Sequence, residues 1–334
     1  MLKSLIQANI IRDRVIARAE IVKNRRPDLA QEIEARLENL NRPEGIVTFA
    51  GRFKTGKSTL LNAAIGRPLL PYYDLPETGV ICKLRSGAQD RAVAQTKSGV
   101  RSMVCSTDAI RKMVALQNDD GNDNAAVQDC EAVEIVIGGS ATCPIPASMC
   151  WIDLPGFDDR PEMDDRAMAG LETTDLALFI MNTTTDGVSQ STAERIDEYS
   201  RKYGSAGVIV VVNVYLAQDT VENWQAYVQG NQPKHLQRMR DFIKGFDQLP
   251  EPIFASARAL GGDDRRVKNA AHAMEHFGGN ALWSLLSAID SGMHPNIQIA
   301  RLQRLERYLQ GVEGSLDYTD QVKKRPKLRL HKMP

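Results

Sequence analysis

The chain has 334 residues, 43% of them hydrophobic and 25% charged, the balance of a soluble globular protein and enough for one large domain or two ordinary ones. Basic and acidic residues number 42 each, and no nucleic-acid partner is expected. No apolar run reaches membrane-spanning length; the longest, Gly207 to Val212, is followed at once by Asn213 and reads as a buried strand.

Leu2, Leu5, Ile6, Ile10, Val15, Ile16 and Val22, set among Arg and Lys, predict an amphipathic helix over 2–24. Arg12, Asp13 and Arg14 make it unlike a signal peptide. Pro27 opens a second helix with Leu29, Ile33, Leu37 and Leu40 on one stripe, and Pro43-Glu44-Gly45 ends this arm. From Gly45 to about Ile289 strands alternate with helices. That predicts an α/β domain whose mostly parallel sheet is covered by helices on both faces. Strands are expected at 46–50, 79–84, 92–97, 131–137, 149–153, 176–181, 207–213 and 252–255. Asn118 to Asn124 reads as a polar surface loop rather than a calcium site, since no Glu follows at the required spacing. After Gly292, Ile299, Leu302, Leu305, Leu309 and Val312 form a helical seam whose natural partner is the first arm. Lys323 to Arg329 reads as a disordered basic tail.

The turn after the first strand carries the chemistry. Gly51-Arg52-Phe53-Lys54-Thr55-Gly56-Lys57-Ser58 is the complete phosphate-binding pattern G-x-x-x-x-G-K-[ST], with the apolar run Ile46 to Ala50 before it and a helix from Ser58 to Ile65 after it. Backbone N–H groups of such a loop cradle the α and β phosphates, Lys57 reaches the β and γ phosphates, and the Ser58 hydroxyl sits on Mg²⁺. The helix that follows, opening through Ser58 and Thr59, points its positive end at the anion. Asp153-Leu154-Pro155-Gly156 stands at the end of a later strand, where Asp153 would hold Mg²⁺ through a water and the Gly156 N–H would meet a γ-phosphate oxygen. Between them, Leu75 to Val80 is a loop that would bring the Thr78 hydroxyl to Mg²⁺ and its carbonyl to the attacking water. Lys54, fourth in the phosphate loop, would either swing onto the γ-phosphate in cis or merely add attraction for nucleotide.

Together these motifs resemble the P-loop G domain of dynamin-like large GTPases, particularly the bacterial members, over roughly residues 45–290. The resemblance is carried by Gly51 to Asn62, Leu70-Pro71 to Thr78, Asp153 to Gly156, and the strand Thr174 to Ile180. It implies a base-supporting loop at Ser256-Ala257-Arg258, a base contact at Asn213, GTP as substrate and Mg²⁺ as cofactor. It also implies a division into a helical neck arm (1–42), the GTPase domain (43–290) and a C-terminal helix with basic tail that starts a stalk (291–334). Expected partners are nucleotide, a homodimer or hetero-assembly through the G domain, and a second dynamin-like chain supplying the stalk. The chain departs from the pattern in two places: Asn213-Val214-Tyr215-Leu216 lacks the Lys and Asp of the base-specificity motif, and Phe157 stands where Ras-like enzymes have a water-orienting Gln. Asp219, three residues late, would substitute only in a remodelled loop.

The expectation is therefore Mg²⁺-dependent hydrolysis of a nucleoside triphosphate, GTP first, coupled to dimerisation and membrane work. The alternative is a nucleotide-binding regulatory or scaffold protein with little hydrolysis and degenerate guanine specificity. The ends are basic, with nine Lys/Arg against six Asp/Glu in 1–42 and nine against four in 301–334. They read as solvated helix faces or as a surface for anionic lipid. Five cysteines (Cys82, Cys105, Cys130, Cys143, Cys150) without a C-x-x-C pair suggest reduced thiols. The expected location is cytoplasmic, peripheral at the inner face of the membrane. His272 and His276 read as an exposed helix face rather than a zinc site.

Overall fold

The first arm folds as the apolar spacing requires. Helix α1 (Leu2–Arg25) is followed by a single 3-10 turn at Pro27–Leu29 and by α2 (Ala30–Asn39). The computed structural model describes residues 2–71, 79–117, 122–139, 144–157, 161–184, 189–261 and 275–324. Thr78, His272, the start of the Asn118–Asn124 loop, Cys143 and the tail from Arg325 lie outside those residues.

Nine strands form one sheet: β1 (Gly45–Ala50), β2 (Ile81–Gly87), β3 (Arg91–Thr96), β4 (Gly99–Met103), β5 (Cys130–Gly138), β6 (Met149–Asp153), β7 (Leu176–Asn182), β8 (Val208–Asn213) and β9 (Ile253–Ala255). Their order is β4-β3-β5-β2-β6-β1-β7-β8-β9. Strands β6, β1, β7, β8 and β9 run parallel, and β1, β6, β7 and β8 are buried along their whole length. Continuous Val/Ile/Leu runs such as Val208-Ile-Val-Val-Val212 are what a strand covered on both faces needs. The covering helices are α3 (Lys57–Ile65), α4 (Thr107–Val114), α5 (Ala125–Asp129), α6 (Pro161–Glu172), α7 (Gln190–Tyr203), α8 (Val221–Gly230), α9 (Gln232–Phe242) and α10 (Gly279–Ala288).

Two features differ from expectation. Strand β4 is a hairpin partner of β3, and its residues are largely exposed. A strand with no buried face shows no alternation of apolar residues, so its sequence does not announce it. The other half of the sheet is less parallel than the spacing suggests: β2 pairs antiparallel with β6, and β3 antiparallel with both neighbours.

The last helix, α11 (Pro295–Lys324), continues through Lys323 and Lys324, which are helical rather than part of the tail. Its seam packs on the first arm as expected. Val15, Ala19, Val22, Ile33 and Leu40 join Leu302, Leu305, Leu309 and Val312 in a core separate from that of the sheet. A buried carboxylate lies where the two cores adjoin. Arg301 donates to both oxygens of Asp175, each at 2.9 Å, and Arg42 donates to Oδ2 at 2.8 Å. Arg301 also donates to the carbonyls of Arg42 and Glu44, and the Ile46 N–H donates to Asp175. Among the described residues no helix is long and apolar enough to cross a membrane.

Candidate functional site

β1 ends at the centre of the sheet between β6 and β7, so the loop 51–56 emerges where the carboxyl ends of three parallel strands converge. The phosphate loop and the Asp153 segment are joined by backbone. The Phe157 N–H donates to the Gly51 carbonyl at 3.1 Å, and the Phe53 N–H to the Phe157 carbonyl at 3.4 Å. The approach is so close that a Cβ on Gly156 would lie 2.8 Å from the Phe53 backbone. Gly156 is thus demanded by packing as well as by its proposed phosphate contact.

Two residues hold the loop in an unusual backbone. Gly56, with φ of 90°, caps the start of α3, and a Cβ there would come within 2.1 Å of the Asn213 amide nitrogen. Lys54 has φ of 61°, the only positive value at a non-glycine residue among those described. Such a conformation costs roughly 1–2 kcal/mol and persists where surrounding contacts enforce it. Here the Asn182 side chain, at the end of β7, donates to the Lys54 carbonyl at 3.0 Å. Lys54 itself is exposed. Asn182 was not singled out by its sequence; a polar residue closing the apolar strand Leu176–Asn182 is the signal that marks it.

The charged groups sit deep. Lys57 is 7% exposed, and its ammonium donates to the Arg52 carbonyl at 3.1 Å. Thr55 also donates its hydroxyl to that carbonyl, at 2.9 Å. The Ser58 hydroxyl, on the first turn of α3, donates to Asp153 Oδ2 at 2.6 Å. Thr59 lies half-buried on the same turn. Asp153 is fully buried, and its other oxygen, Oδ1, has no hydrogen-bond partner among the described residues. Burial raises the Asp153 carboxyl to about 6 against the opposing pull of Lys57, and burial lowers Lys57 to about 8 against the pull of Asp153. A hydroxyl, an orphaned carboxylate oxygen and an ammonium at a helix start form a hard-oxygen site. They fit a Mg²⁺ ion that keeps several waters, together with the anion that accompanies it.

On the far side of the loop, Asn213 ties three segments together. Its amide donates to the Thr55 carbonyl at 3.0 Å and its oxygen accepts from the Ala257 N–H at 3.0 Å. Ser256 is buried beneath, its N–H donating to the Phe277 carbonyl. Arg258 is turned away to Asp219, at 2.9 and 3.2 Å, and to the Leu216 carbonyl at 2.5 Å. Phe157 is buried and stacked on Phe179 at 6.5 Å, so it is a core ring. The structure thus brings Gly51, Lys54, Thr55, Gly56, Lys57, Ser58, Thr59, Asp153, Gly156, Asn213, Ser256 and Ala257 around one loop, with Arg258 beside it. Thr78 is outside the described residues.

Residues 47–214, half of the chain, match the dynamin family, and the chain belongs to that family. Two solved structures of an oligomerised bacterial dynamin pair, a pair linked to long-range sensing and tethering of membranes, share the fold at 14% identity and a TM-score of 0.54 each. The alignments cover 88% and 96% of this chain but 41% and 49% of those chains, so this chain spans less than half of their length. No curated protein matches the sequence.

Proposed function

We propose that the chain binds GTP with Mg²⁺ in the loop 51–58 and hydrolyses it, as the G domain of a bacterial dynamin-like assembly. The observation that carries this is the buried Asp153 carboxylate, one oxygen of which accepts from the serine hydroxyl at the start of the helix that follows a complete phosphate loop while the other has no partner among the described residues. Ser58 and, through water, Asp153 would hold Mg²⁺, which on binding supplies charge neutralisation for the β and γ phosphates. Lys57 is buried and cationic, and it would face the charge that develops at the β–γ bridge, where such contacts are worth several kcal/mol. The Gly156 N–H and Thr78 would register the γ-phosphate, and closure of the Thr78 loop would report it.

Because Phe157 is a core ring, water must be activated from elsewhere: by the Thr78 carbonyl, by Lys54 acting in cis, or after pairing of two G domains. The same observation favours a second function, a nucleotide-dependent scaffold with little turnover. The helices α1, α2 and α11 would act as a neck, with residues 1–42 and 291–334 as its two segments and 43–290 as the GTPase unit. A second dynamin-like chain would supply the stalk. The site of action would be an anionic membrane surface at the inner face of the cell membrane, approached from the cytoplasm.

The test is Mg²⁺-dependent GTP turnover over a range of protein concentrations. Lys57→Ala should lose triphosphate binding in calorimetry. Lys54→Ala should lower kcat with affinity kept within a few-fold, if its contact forms only in the transition state. Specific activity should rise with concentration. Wild-type affinity in Lys57→Ala would refute the assignment, and bound but unhydrolysed GTP at every concentration would select the scaffold.

A further inference from the structure

The base side of the site is built differently from a guanine-reading pocket, and Tyr215 stands in the middle of the difference. A guanine reader needs a carboxylate that presents its oxygens to the purine edge. Leu216 occupies that place, is apolar and is 8% exposed. The neighbouring carboxylate, Asp219, has its side chain 7% exposed and turned into the Arg258 guanidinium, which is anchored a second time on the Leu216 carbonyl. A carboxylate held this way is spent on an internal ion pair.

Tyr215 lies between Asn213 and Leu216 and is partly open to solvent. It is 39% exposed, one of the exposed large hydrophobic side chains among the described residues. Its backbone is fixed on both sides: its N–H donates to the Thr183 hydroxyl at 2.9 Å, and the Val214 N–H donates to the Ala255 carbonyl at 2.8 Å. From there the side chain reaches back to the phosphate loop, where its hydroxyl lies 3.5 Å from the point a Cβ on Gly56 would occupy. Next to it in the chain, Asn213 accepts from the Ala257 N–H and donates to the Thr55 carbonyl, which ties this segment to the same loop. A phosphate chain seated along Gly56 must lead its base past this ring.

We infer that Tyr215 is the base platform of the site, and that it holds the nucleobase by stacking rather than by reading its edge, so that adenine and guanine nucleotides are both accepted. This rests on the nucleotide reading proposed above. Stacking tolerates every base because every base has a π face. Edge-reading by a buried carboxylate is the opposite case, rejecting the wrong base by orders of magnitude because the polar group is left unpaired.

The experiment is calorimetric titration of the full chain, with Mg²⁺, by GDP, ADP and inorganic tripolyphosphate. Wild type should bind GDP and ADP within about tenfold of each other. Tyr215→Ala should weaken both nucleotides alike, by about fivefold to a hundredfold, the range measured for a lost base stack, while tripolyphosphate affinity stays within about twofold. Tyr215→Phe should restore both nucleotides, which a hydroxyl-dependent role would not. A preference for GDP over ADP above about a hundredfold would overturn the inference and leave the nucleotide function standing. Loss of tripolyphosphate in step with the nucleotides in Tyr215→Ala would also overturn it, since the ring would then be a prop for the loop. Failure of wild type to bind any of the three would remove the proposed function itself, and the inference with it.

Discussion

Asp153 and Lys57 show how much of the site is electrostatics set by burial. Both lie inside the protein, and water exclusion raises the acid to about 6 and lowers the base to about 8. The sign of the consequence follows. Mg²⁺ needs the ionised carboxylate and the phosphates need the Lys57 cation, so Mg²⁺-nucleotide affinity should be greatest between about pH 7 and 8 and fall as pH drops through 6 toward 5, up to about tenfold per unit. Asp153→Asn should bind more weakly and lose that slope. Titrations at pH 5.5 and 7.5 check it; a flat wild-type profile would contradict it. In the empty protein the linkage runs the other way: the folded chain keeps this proton longer than the unfolded chain, so the term favours folding at low pH and is lost as pH rises through 6. That Ser58, Lys57 and Asp153 lie together was legible in the sequence because the roles proposed for them call for fixed residue types at fixed spacing. Asn182 and the Arg258–Asp219 pair were not, since a side chain that props a backbone can come from any strand end that happens to be adjacent.

At the scale of elements, the loop after β1 and the segment after β6 act as one unit. Phe53 and Phe157 exchange backbone contacts, and Gly156 leaves no room for a side chain. Gly156→Ala should therefore push the two loops apart and weaken nucleotide binding by tenfold or more, while global stability falls by only about 1–3 kcal/mol, the usual cost of overpacking. Parallel calorimetry and urea denaturation separate the two effects. The junction of α11 with the sheet gives a second contrast. Arg301 and Asp175 are almost fully buried, whereas the Arg18–Glu313 pair between α1 and α11 is partly solvated. Arg301→Ala should cost about 3–5 kcal/mol because it removes a buried charge's main partner, and Arg18→Ala less than about 1 kcal/mol. Equal denaturation midpoints for the two variants would show that Arg42 alone suffices for Asp175.

For the whole molecule, two hydrophobic cores share α11, whose Ile297 and Ala300 pack with the sheet and whose Leu302, Leu305, Leu309 and Val312 pack with the first arm, and polar contacts from Arg301, Gln303 and Arg304 tie the helix to the sheet side. Their separation predicts that the helices can fail without the sheet. Leu305→Asp places a charge in the helical core and should release residues 1–42 to limited proteolysis, with nucleotide affinity changed less than a few-fold. Loss of nucleotide binding together with the helices would mean instead that the arm is part of the folding unit of the sheet. A neck that carries movement between the G domain and the rest of an assembly needs the first outcome, since it must be able to shift while the site stays formed.

The sequence by itself determined the sheet-forming segments of the buried half, the phosphate loop, the Asp153 turn and the seam of α11. Each is a local pattern enforced by short-range physics: apolar strands covered on both faces, a loop whose residue pattern is that of a phosphate cradle, a helical stripe that must be covered. Tertiary structure alone decided the antiparallel insertion of β2 and the β3–β4 edge, because pairing direction is chosen by chain connection and not by any one strand. It alone showed Phe157 to be a core ring, Asp219 to be paired with Arg258, and the Tyr215 hydroxyl to lie near Gly56. Those outcomes depend on which side chains meet across distances of tens of residues, and spacing along the chain holds no record of that.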